Sequence, residues 1–65
     1  MRALSERQIE VLQAMADGAS YDQISERLFM ARPTVKAHAS SIYRKLGALN
    51  KGHAIALGMR AGLIH

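Results

Sequence analysis

Apolar residues recur along this chain at helical spacing, in four blocks divided by short glycine, serine or asparagine signals. In the first block Ile9, Leu12 and Ala16, with Val11 and Met15 beside them, trace one stripe of a helix. Ser5 followed by Gln8 is a capping-box spacing, Leu4 and Ile9 have the spacing of a hydrophobic staple, and Gly18 suits a left-handed stop. Ser20 and Gln23 repeat the capping box, and Ile24 and Leu28 supply the apolar face of a second, shorter helix. The segment Phe29 to Ala31 is too short and apolar for a flexible linker and reads as a tight, partly buried turn.

In the third block Val35, Ala39, Ile42 and Leu46 follow a 4-3-4 spacing that places all four on one narrow stripe. Pro33 suits a first helical turn, and Gly47 closes the far end. The opposite side presents Pro33, Ala37, Ser40, Ser41 and Arg44, flanked by Lys36 and His38. That outer face is basic at its edges and small at its centre. A merely solvated helix carries long charged residues there, paired with acids four positions away. The last block follows an Asn50 cap, and Ala54, Ile55, Leu57, Gly58 and Ala61 make it apolar over more than one stripe. Gly52, Ala56 and Gly58 are small enough to admit a second backbone, so the block reads as the rest of the core or as a self-association surface.

These signals predict an all-α fold of four helices, at about 5–17, 21–28, 32–46 and 51–60, within a single domain spanning residues 1–65. A chain of 65 residues buries only about 60% of its unfolded surface on folding, so help from a partner chain would be unsurprising. No cysteine is present, which removes disulfides and thiolate metal sites. Charges interrupt the sequence too often for a membrane-spanning run, and the expectation is a soluble cytoplasmic protein.

Net charge is +4, but its placement carries more information. All five acids (Glu6, Glu10, Asp17, Asp22, Glu26) precede Arg27, where Arg2 and Arg7 are the only bases. From Arg27 onward come Arg27, Arg32, Lys36, Arg44, Lys45, Lys51 and Arg60, with no acid. Such segregation fits a binder of polyanions better than a uniformly solvated surface. An enzyme is not expected, because no paired-carboxylate constellation lies outside the acidic first two helices, and there is no phosphate-cradling glycine loop, nucleophile elbow or cysteine. His53 and His65 lack ligand spacing with His38, so neither metal nor cofactor is expected.

Two short helices, a tight turn and a helix with a bare, basic outer face make a helix-turn-helix, whose second helix can enter the DNA major groove. The residues also resemble the LuxR-type, or GerE-like, helix-turn-helix domain of bacterial regulators. The matching elements are Leu4-Ser5, Glu10-Val11-Leu12, Gly18 to Ser20, Ile24-Ser25 with Leu28, Thr34-Val35-Lys36 with His38, Ile42 with Lys45-Leu46, Asn50-Lys51, and Gly62-Leu63-Ile64. They cover nearly the whole chain in order. The family's frequent glutamate in the first turn is Gln8 here, which can still cap but forms no ion pair. Its usual capping serine is Ala31, so either Arg32-Pro33 starts the third helix differently or that end lacks a side-chain cap. Lys51 stands where arginine is more common, keeping the charge and losing the fork.

The resemblance implies sequence-specific binding of double-stranded DNA as a bacterial transcription regulator, by a homodimer paired through the last helix on an inverted repeat, with RNA polymerase as a possible further partner. It also implies roles for particular residues. Thr34 would meet a phosphate at the helix N-terminus, and Lys36 a phosphate or base edge. Ala37 and Ser40 would face bases, although alanine can touch only a thymine methyl and serine discriminates poorly. Arg44 alone on that face has a bidentate fork for guanine or a phosphate, whereas Arg32, Lys45 and Lys51 are phosphate candidates. His38 lies at the border, as a phosphate neighbour or a packing residue. Tyr43 and Tyr21 are expected to cover the core. The alternatives are a sigma-factor-like promoter module and a helix-turn-helix reused for protein interaction; the basic second half disfavours the latter, and the match through the C-terminal residues disfavours the former. No small-molecule ligand is expected in this segment, which reads equally as a stand-alone regulator or as the output part of a larger one.

Overall fold

The computed structural model describes residues 4–65; Arg2, one of the two bases assigned to the acidic stretch, lies outside them. Four helices follow in order, α1 Glu6–Ala16, α2 Tyr21–Leu28, α3 Arg32–Leu46 and α4 Lys51–Arg60, and no strand occurs among the described residues. The predicted all-α fold is therefore the observed one, with Ser5 and Asp17 standing as caps outside the first helix.

Local chemistry accounts for the ends. Ser5 Oγ accepts from the Gln8 N–H at 3.1 Å while Gln8 Oε1 accepts from the Ser5 N–H at 3.0 Å. Ser20 and Gln23 do the same for α2 at 3.2 and 2.8 Å. Each reciprocal pair satisfies two backbone donors that a helix start leaves orphaned. Beyond α1, Gly18 takes φ +89° and Ala19 N–H returns to the Ala14 carbonyl at 3.0 Å, a Schellman-type closure. Asn50 caps α4 by accepting from the His53 N–H at 2.9 Å, and His53 Nδ1 in turn accepts from Leu49 N–H at 3.0 Å.

α1, α2 and α4 all pack on α3, and α1 also packs on α4. Where they meet, Leu12, Ile24, Ile42, Val11 and Val35 are withdrawn from solvent, joined by Met15, Ala39, Ala54 and Ile64. Leu46, Ile9 and Leu28 pack around this centre half-buried. The C-terminal residues belong to the same unit. Ile64 is buried, and Gln13 clamps His65 by donating Nε2 to its carbonyl at 2.7 Å and accepting its N–H at 3.0 Å.

Two expectations change. The Phe29 to Ala31 turn is partly buried through Met30 alone: Phe29 adopts φ 54° and is 95% exposed. Closing α2 requires a left-handed residue, no glycine lies between Gly18 and Gly47, and that conformation swings the ring outward. Gly58, read as a possible site of approach for another chain, is buried instead. A methyl group there would lie 2.8 Å from Leu12 Cδ2 and 3.2 Å from Ile64 Cγ1, so the close approach is used inside the fold.

Candidate nucleic-acid interface

α3 carries the candidate surface because its apolar stripe is committed to the core. Val35, Ala39 and Ile42 are buried, which fixes the rotation of the helix. By the 3.6-residue repeat, Thr34, Lys36, Ala37, Ser40 and Arg44 then stand exposed to solvent. No acid occurs on α3 or α4, so no carboxylate from either helix covers this surface.

The N-terminus of α3 is unlike those of α1 and α2. Ala31 has extended backbone but supplies no side-chain hydrogen bond, and Pro33 lies in the first turn. Of the two alternatives left by the sequence, the helix simply begins without a side-chain cap. Arg32 Nε instead reaches back to Asp22 Oδ1 at 3.0 Å, tying α3 to the first turn of α2. Both partners are more than half exposed, so this pair contributes little to stability and leaves the guanidinium open to another anion.

At the other end, Lys45 and Ser41 do not share the surroundings of Ser40 and Arg44. Lys45 Nζ donates to Gln8 Oε1 at 2.9 Å, and Gln8 Nε2 donates to Ser41 Oγ at 3.0 Å. Both side chains are half-buried against α1, so Ser41, grouped by helical angle with the outer face, belongs to its flank. His38 is also half-buried, consistent with its border position. Lys51 is exposed in the first turn of α4, on the far side of the Gly47 to Asn50 connection. Thr34, Lys36, Ala37, Ser40 and Arg44 thus share the solvent-facing side of one helix, whereas Arg32 is exposed on the α2 side at its start and Lys45 and Lys51 lie at its margin.

Gln8 went unassigned as a site residue in the sequence. Its capping spacing was visible, but its two bonds to α3 link positions 33 and 37 residues apart, and no local pattern announces such a contact. The two tyrosines do pair. Burial, then the hydrogen bond with Tyr21, pushes the Tyr43 hydroxyl from 10.0 up to about 12. Both rings are half-buried beside the core rather than offered for stacking. Among the described residues no helix is long and apolar enough to cross a membrane.

Comparison with known proteins agrees with this geometry. Residues 2–57 match the family described as bacterial regulatory proteins, luxR family. The chain is 37% identical over 60 residues to the uncharacterized transcriptional regulatory protein YxjL of Bacillus subtilis (strain 168), covering 92% of this chain and 28% of that protein. It superposes on the structure of transcription factor GerE with a TM-score of 0.93 at 31% identity, covering 98% of this chain and 97% of the other. The response regulator ChrA of a heme-sensing two-component system gives a TM-score of 0.92 at 42% identity, covering 98% of this chain and 32% of that one. The chain thus spans about a quarter of the length of the curated relatives it matches.

Proposed function

Because the chain belongs to the luxR family of bacterial regulatory proteins, we propose that it is a DNA-binding domain of a transcription regulator, with α3 as the recognition helix in the major groove. One observation carries this reading. The solvent-facing side of α3 carries small residues (Ala37, Ser40) beside Arg44, with Lys36 at its edge and Arg32 exposed at the start of the helix, on a half of the chain without any acid. Small residues let the helix approach base edges, and the flanking cations meet the phosphate walls.

Positioning and reading divide among these residues. Thr34 receives a phosphate with its hydroxyl at the uncapped, acid-free start of α3, where the helix dipole favours an anion. Lys36 and Arg32 hold the backbone on that side. Lys51 does so from α4, where a cation in the first turn opposes the helix dipole and so does not serve the helix itself. Arg44 has the only fork on the groove face able to read guanine, while Ala37 is limited to a thymine methyl and Ser40 is permissive. His38 contributes at the edge. Base readout is therefore limited, and most affinity is electrostatic.

A half-site this small favours a symmetric pair. Gly52, Ala56 and Met59 form an exposed i, i+4, i+7 stripe on α4, and we assign it as the homodimer surface that sets two copies on an inverted repeat. Binding of RNA polymerase and residence in the cytoplasm follow from the regulatory role. The test is selection of bound duplexes from a randomised pool at moderate salt. Enrichment of an inverted repeat is expected; recovery of a single unrepeated half-site would remove the dimer, and failure to bind any duplex at low salt would remove the DNA-binding role.

A further inference from the structure

Gln8 sits where the start of α1 meets the C-terminal part of α3. It is 7% exposed, and both ends of its amide are engaged. Oε1 accepts from the Ser5 N–H at 3.0 Å and from Lys45 Nζ at 2.9 Å, and Nε2 donates to Ser41 Oγ at 3.0 Å. The amide therefore completes a capping box and grips two successive turns of the recognition helix at once.

The acceptor that holds Lys45 is neutral. A carboxylate in this place would accept from the same Ser5 and Lys45 donors, and the Ser41 hydroxyl could rotate to donate to it. It would also cancel the ammonium charge. The amide oxygen anchors the lysine by a charge-assisted hydrogen bond but leaves its field intact. Side chains of similar shape at position 8 thus give equivalent anchoring with opposite consequences for the charge presented beside α3.

We propose that Gln8 is a positioning residue for nucleic-acid binding: its neutral amide anchors Lys45 of α3 against α1 without neutralising it, so that this lysine counts toward the charge that meets phosphate. The inference rests on the DNA-binding reading above. Each phosphate neutralised contributes about 0.9 to the slope of log affinity against log salt, so the proposal concerns the presence or loss of about one such contribution.

The test compares the unmodified chain, Gln8→Glu and Lys45→Gln for binding to a labelled random-sequence DNA duplex over a salt series, with thermal melting alongside. Gln8→Glu is expected to melt no lower than the parent, to bind about threefold to tenfold more weakly at low salt, and to show a slope shallower by up to about 0.9. Lys45→Gln is expected to show the same loss of slope. An unchanged slope in a folded Gln8→Glu protein overturns the proposal, because Lys45 would then act independently of its anchor. An unchanged slope in Lys45→Gln overturns it even if the glutamate variant does not fold, because that lysine would then contribute no charge to binding. Absence of binding by the parent would instead strike the DNA-binding reading, and this inference with it.

Discussion

The first two helices and the third begin in opposite ways. α1 and α2 each start with a reciprocal Ser/Gln capping box and an acid in the first turn, Glu6 or Asp22, as helix dipoles favour. α3 starts at Ala31 without a side-chain cap or an acid, and its first residue is a cation. α4 stands between them, capped by Asn50 yet opening with Lys51. On the proposed reading, local rules are obeyed in the supporting helices and broken where α3 would meet DNA, which is where violations of local consistency are expected. The acidic half then chiefly supports the fold, and the basic half leaves its α3 start without a side-chain cap and its charge unopposed by any acid of α3 or α4.

The largest effect should come where the two halves join. Ile42 on α3 is fully buried in the core shared by the helices, and Ile42→Ala should cost about 2–5 kcal/mol. Urea denaturation would then show a loss of stability that takes duplex binding with it. A smaller and more selective change is Lys36→Ala, exposed on the outer face. It should weaken duplex binding severalfold while leaving stability within about 0.5 kcal/mol; an equal loss of stability would blur the division.

The caps sharpen the comparison further. Ser20→Ala removes the acceptor of a satisfied capping box and should cost about 1 kcal/mol, whereas Ala31→Ser should add about 0.5–1 kcal/mol by supplying the missing one. For a domain of this size each kcal/mol moves the melting temperature by about 4–8 °C. Calorimetry should therefore separate the two variants in opposite directions. The smallest effect concerns Tyr43. Its hydroxyl pKa is raised in the fold from 10.0 to about 12, so the fold favours the protonated form. The stability this contributes is complete below pH 10 and is lost as pH rises through about 12. Tyr43→Phe should show a correspondingly flatter decline in urea midpoint over that window.

The helices were legible in the sequence because their signals are local. Ser5-x-x-Gln8, Ser20-x-x-Gln23, Gly18, Gly47 and Asn50 act within a few residues, and the stripe Val35, Ala39, Ile42, Leu46 fixes the rotation of α3. That rotation alone exposes Thr34, Lys36, Ala37, Ser40 and Arg44. Contacts between distant parts were not legible. Helical angle groups Ser41 with Ser40 and Arg44, but only the arrival of Gln8 from α1 turns it and Lys45 toward the flank. Phe29 shows the same limit from another direction. Its apolar character suggested burial, and the backbone demand of the α2 terminus decided otherwise.

The division between a supporting half and a binding half can be tested in one titration. Backbone amide shifts of the labelled protein would be followed by NMR as a duplex carrying the selected site is added. Changes are expected along Arg32 to Arg44 and at Lys51, with Glu10, Asp17 and Glu26 on α1, α2 and their junction nearly still. Large shifts centred on the acidic helices, with α3 undisturbed, would contradict the assignment of α3 as the helix that meets DNA.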